Sequence, residues 1–206
     1  MTLLRPQNVA AALVRTAQGN AVAGRPTPGG RRLLGWLLAL AVSVGLCVAT
    51  SAGARSAGAH ASALRPLERS VLTEMNALRR QRGLVPLRLS AGLAAAARRH
   101  SMEMANRGYF GHNSASGEVF GRRIAHFYPI GAHSSWWVGE NLLWSSAELN
   151  GAAALNVWLN SPEHRATMLS ARWRDVGVGA VYTRSATGVY GGRDVTIVTA
   201  DFGVRS

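Results

Sequence analysis

Lysine is absent from these 206 residues, and cysteine occurs once, at position 47. Residues 56–206 therefore contain no disulfide and no thiolate zinc site, and a domain formed there is held by its core alone. Neither a G-x-S-x-G elbow nor an H-E-x-x-H helix is present, which removes the two most readable hydrolase signatures. There is no internal repeat. Charged residues are only 16% of the chain, and every Lys/Arg-type cation is Arg. The abundance of Arg, Ala and Gly reads as a GC-rich coding sequence, so the Arg excess is not by itself a functional mark.

Acidic residues are missing from residues 1–55, which hold six of the 23 Arg. From residue 56 onward, 17 Arg face 10 Asp and Glu, a surplus of seven out of the total of +13. These Arg fall in scattered pairs, Arg79-Arg80, Arg98-Arg99 and Arg122-Arg123, with no aromatic interleaving. That pattern argues against nucleic acid as a partner and for attraction to an anionic envelope, either membrane lipid or cell-wall polymer. No obligate protein partner is inferable.

Three segments follow from patterning. Residues 1–32 are polar, basic and broken by Pro26, Pro28, Gly29 and Gly30, and are expected to be disordered. Residues 33–61 begin with an uncharged run, Leu33 to Thr50, preceded by Arg31-Arg32 and followed by small residues such as Ala57-Gly58-Ala59. This is the order of an export signal, and the run is also just long enough to span a bilayer. Cleaved or kept as an anchor, it places the rest of the chain extracellularly or tethered facing outward. Residues 62–206 form the expected domain.

Within that domain Leu67, Val71, Leu72, Met75 and Leu78 recur at helical spacing over 66–82, and Gly83 supplies a left-handed stop. Ser90 is an N-cap for a helix through Asn106, with His100 on its apolar face. Tyr109 to Tyr128 reads as a long loop with one helical turn, and Trp136 to Leu143 as extended. Ser145 or Ser146 is expected to cap a helix over 147–160, and Ser161-Pro162 starts a short one. Val176–Tyr182 and Val195–Phe202 alternate as strands of a hairpin.

Three motifs carry polar groups that composition does not explain: Gly108-Tyr-Phe-Gly-His112, Gly139-Glu-Asn141 and Trp158-Leu-Asn-Ser-Pro-Glu-His-Arg165. Two imidazoles and a carboxylate converging in a cleft would suit a divalent ion such as zinc, or acid/base chemistry. With Asn76-Ala-Leu-Arg79, Ala96-Ala-Arg-Arg-His100 and Val176-Gly-Val-Gly179, these motifs, in this order, resemble the CAP superfamily (cysteine-rich secretory, antigen 5, pathogenesis-related 1), in its bacterial SCP-like form, over about residues 66–204.

The resemblance implies an α+β fold, a three-layer α-β-α sandwich with a central antiparallel sheet. It implies a surface cleft with a His/Glu tetrad, in which His112 is the first His, Glu140 the first Glu and His164 the second His. Ser161 stands where the second Glu would be, so the tetrad is incomplete, and Glu163 sits on a different phase of the chain. The expected function is an exported domain whose cleft binds a ligand or metal at the cell envelope. The alternatives are a protease-like hydrolase using His164 or Glu140 as base, and a lipid-, sterol- or wall-polymer-binding protein.

Overall fold

A computed structural model describes residues 65–206; the basic preamble and the export-type segment lie outside the described residues. Ten elements follow in order: α1 (Pro66–Gln81), β1 (Arg88–Leu89), α2 (Ala91–Arg107), α3 (Phe120–Ala125), β2 (Trp136–Ser145), α4 (Gly151–Leu159), α5 (Pro162–Met168), β3 (Asp175–Ala186), a 3-10 turn (Gly188–Tyr190) and β4 (Arg193–Arg205).

The strands form one sheet in the order β1-β3-β4-β2. β2 and β3 each pair antiparallel to β4, with Glu140 directly opposite Asp201 and Gly177 opposite Asp201 on its other side. β1 pairs parallel to β3 through Arg88 and Leu89, so the sheet is mixed where the resemblance implied a purely antiparallel one. Two residues are too short to show a strand period, so patterning marks 86–89 as no more than a short extended link.

Side chains alternate across a strand, and both faces are covered. On one face Val176, Val178, Val198, Ala200, Phe202 and Leu143 meet Val71 and Met75 of α1, Leu155 and Trp158 of α4 and Met168 of α5. On the other, Leu142, Ile197 and Val195 meet Met104 of α2, while Val138 packs with Leu93 of α2 and with Phe120 and Ile124 of α3. The three-layer sandwich follows from these two apolar faces.

The Val-Gly-Val-Gly motif of β3 has a packing cause. A Cβ on Gly177 would lie 2.0 Å from the backbone of Leu93 and Ala94, and one on Gly179 2.2 Å from the Arg98 nitrogen. The two glycines let α2 lie backbone-to-backbone on the sheet, which brings the His100 end of α2 over the strands. α2 itself starts as expected: Ser90 Oγ accepts from Leu93 N, and Gly108 closes it at φ 66°.

α4 begins later than the sequence implied. Ser145 is still in β2, paired with Thr196, and Asn150 Oδ1 caps the helix by accepting from Ala153 N at 2.9 Å.

Buried ions stitch the layers. Glu68 of α1 is fully buried; it binds Arg98 of α2 at 2.8 Å and accepts from Ala180 N of β3. Arg79 is also fully buried, and donates to the carbonyls of Val85, Met168 and Ser170, closing the C-terminal turn of α5.

Candidate functional site

Glu140 sits mid-strand in β2, on the face covered by α2 and α3, and has no solvent exposure. His112, in the loop after α2, reaches it: Nδ1 is 2.7 Å from Oε1. Arg123 of α3 reaches the other oxygen, Oε2, in a buried ion pair. Arg123 also donates to the His112 carbonyl at 2.6 Å, so one guanidinium holds both the acid and the loop that carries the imidazole. Gly139 next door makes room on the opposite face, where a Cβ would strike the Trp173 ring at 2.8 Å.

Asp201 of β4 stands directly across from Glu140, on the same face and equally buried. No N–H or hydroxyl among the described residues donates to either Asp201 oxygen. Two ionised carboxylates side by side in a buried site repel each other and lose their hydration, which is costlier than keeping one proton. Burial and the Glu140 charge together raise Asp201 well above the usual carboxylate range, Arg123 opposing them. Burial also raises Glu140, to about 7, against the pull of Arg123. Asp201 is accordingly the member that keeps a proton, while Arg123 favours the charged form of Glu140.

His164, expected to join this pair, is fully buried in α5. Its carbonyl accepts from Asn141 Nδ2 at 2.9 Å, and Asn141 follows Glu140 in β2 and so points to the opposite face. The structure thus brings His112 and Glu140 into direct contact and ties the His164 peptide to the next residue of the same strand. Ser161, at the position of the missing Glu, directs its hydroxyl to Glu163.

Zinc or another divalent ion on His112, Glu140 and His164 does not fit this arrangement. Among the described residues no group of three or more His, Cys, Asp or Glu side chains could hold a metal ion. Glu140 instead spends one oxygen on Arg123 and the other on His112.

The cluster meets solvent in two places. The His112 side chain is 12% exposed. Arg123 also forms part of the wall of a depression of about 250 Å3, whose other polar groups come from Arg99, Glu103, Ser114, Ser116, Glu118 and His126. Ser114 and Glu118, assigned no role from sequence, therefore border the site. His100 is buried behind it; its Nε2 donates to Gly111 O, and burial and then Arg123's charge depress it to about 3. His126 and His133 lie at the surface.

Two members of the cluster were not picked out from sequence. Arg123 reads as one of a surface Arg pair, although Arg122 and Arg123 take opposite sides of a short helix. Asp201 is the one acid within the otherwise uncharged alternation of 195–202, and a charge at an inward strand position is the clue that was available.

Residues 72–202 match the cysteine-rich secretory protein family, the CAP family. The chain belongs to this family. Among curated relatives it is 29% identical to the uncharacterized protein YkwD of Bacillus subtilis (strain 168) over 60% of this chain and 46% of that one. It is 30% identical to the uncharacterized membrane protein YlbC of the same organism, over 54% of this chain and 31% of that one. The chain thus spans less than half the length of the curated relatives it matches.

Among solved structures, an extracellular SCP-domain protein of Bacillus anthracis str. Ames superposes with a TM-score of 0.50 at 27% identity, covering 66% of this chain and 39% of that one. An outer surface protein of Borrelia burgdorferi superposes at 0.53 with 20% identity, covering 67% and 92%, a likeness of fold. Neighbours of this CAP domain are thus described as extracellular or outer-surface proteins. No helix among the described residues is long and apolar enough to cross a membrane.

Proposed function

We propose that this CAP domain works outside the cytoplasm as a binding module for a polar cell-wall polymer, seated in the depression beside Arg123. The observation that carries the reading is the buried His112–Glu140–Arg123–Asp201 cluster, whose Arg123 forms part of the wall of a hydroxyl- and charge-lined hollow. Buried ionisable clusters cost stability, and those beside a cavity are characteristic of functional sites. The serine hydroxyls, glutamates and arginines of the wall offer both donors and acceptors, as a hydroxyl-rich glycan requires. Export is supported by the Leu33–Thr50 run and its flanks.

Sedimentation of the protein with purified cell wall tests this. Binding should fall at least about tenfold in Ser114→Trp, which fills the hollow, and in Arg99→Gln/Glu103→Gln, which strips two charges from its lining. Equal sedimentation of both variants and the parent, with folding intact, overturns the reading.

A second reading has one specific support. An imidazole whose Nδ1 is held against a buried carboxylate is the arrangement of a general base. Incubation with peptide, ester and peptidoglycan libraries tests it: turnover above that of Glu140→Gln supports hydrolysis, and equal turnover removes it.

A further inference from the structure

Arginines that are scattered along the sequence are gathered by the fold at one end of the sheet, where β1, β2 and β3 begin. Arg79 Nε donates to Val85 O, and its Nη1 to Ser170 O, which joins the turn after α1 to the 170–174 loop. Arg88 N donates to Arg174 O, which joins that loop to β1. Arg174 in turn donates to the carbonyls of Ala171, Arg172 and Trp173. Arg80, Arg82, Arg88, Arg172 and Arg174 are all exposed here, around the buried Arg79. One acid of this region, Asp175, is paired with them, at 3.0 Å from Arg88. Six arginines against one aspartate account for five of the surplus of seven in residues 56–206.

Among the described residues Arg79 has no carboxylate partner, and its hydrogen bonds there go to carbonyls. Burial and then Arg174's charge press it below the usual guanidinium range, as crowded like charges do.

The same end exposes apolar side chains. Val85 is 57% and Leu89 45% exposed, among the few large hydrophobic residues so placed. Arg172 lies over the half-buried Trp137 ring at 4.4 Å, an aromatic-with-cation pair suited to a headgroup boundary. A polyanionic glycan would use the charges but gain nothing from Val85 and Leu89. A lipid surface uses both.

We infer that this arginine-rich end, with Val85 and Leu89 among the charges, is a docking surface for anionic phospholipid. It deepens the envelope reading above and rests on it for location, but not on the hollow beside Arg123. An export-type segment retained as an anchor would keep the domain within reach of lipid, and this surface would then lay the domain on the membrane.

The test uses the full chain and vesicles of neutral phosphatidylcholine, with and without phosphatidylglycerol. The apolar run and the basic preamble contribute equally in every variant, so the quantity read is each variant's preference for anionic over neutral vesicles. In R80Q/R82Q/R172Q/R174Q that preference should fall at least about tenfold, since each arginine at a charged lipid surface is worth about fivefold. In V85S/L89S it should persist at low salt. It should then disappear at lower salt than in the parent as the Debye length shortens toward about 3 Å near 1 M.

An unchanged preference in the quadruple variant, with an unchanged circular dichroism spectrum, overturns the inference. So does a variant that loses sedimentation with cell wall but keeps its vesicle preference, since the partner is then wall phosphate. Wall binding through the hollow, measured with Ser114→Trp, succeeds or fails separately.

Discussion

Arg123 is the residue on which the candidate site turns. It neutralises Glu140, anchors the His112 loop and lines the adjoining hollow. Removing its partner strands a buried cation. Glu140→Gln should therefore cost about 3 kcal/mol, whereas a nearby exposed pair such as Glu118–His126 should be nearly neutral when broken. Urea denaturation of the two variants checks the contrast. Asp201 predicts a different signature. Its raised titration means that the folded state keeps a proton the unfolded chain has released. Stability from this pair is present at low pH and declines as pH climbs out of the ordinary carboxylate range, through about 7 for Glu140. Asp201→Asn keeps a donor toward Glu140 and has no proton to lose. It should gain on the order of 1 kcal/mol relative to the parent between weakly acid and weakly alkaline pH. Urea midpoints that stay parallel across that range would contradict the shared proton.

At the scale of elements, the close seating of α2 on β3 is the decisive contact. Gly177 and Gly179 face helix backbone, which cannot rotate away as a side chain can, so Gly179→Ala must push α2 off the sheet. Loss of several kcal/mol, at the upper end for a single added methyl, is expected. Gly83→Ala is the control. Its φ is +69° but nothing lies within 4 Å, so only the left-handed backbone penalty of about 1 kcal/mol applies. Thermal melts of the two proteins should differ widely. The same seating buries His100 and positions the 109–119 loop, which is how a packing motif in β3 reaches the site. Trp158 plays the matching part on the other face, fully buried with Nε1 donating to Leu142 O.

For the whole molecule, pH acts from two sides. His100 titrates near 6.5 when unfolded and is depressed to about 3 by burial. Between those values the unfolded chain binds a proton that the folded chain refuses. The stability is complete above 6.5 and is lost as pH falls toward 3. The Glu140–Asp201 pair removes stability in the other direction. Together they predict a stability maximum in mildly acid to neutral solution, and His100→Gln should flatten only its acid limb. Denaturant midpoints from about pH 4 to about pH 8, values set by these titrations, read both limbs. The basic end at Arg80, Arg82, Arg172 and Arg174 is likewise visible only at this scale, because its members come from elements far apart in the chain.

The sequence alone determined what local chemistry can specify. Helical periodicity and Ser90 marked α1 and α2, alternation marked β3 and β4, and ordered motifs marked the CAP family. His112 and Glu140 were legible because each sits in a short polar motif at the edge of an apolar element. What depends on distant backbone meeting backbone was decided by the tertiary structure. The parallel β1 is too short to carry a period. The Asn150 cap emerged only because pairing with β4 extends β2 through Ser145. Asp201 acquires its proton from standing opposite Glu140, and Arg123 its role from the depth of α3. Burial and cross-strand register set charge and protonation there, and neither is a property of any single stretch of chain.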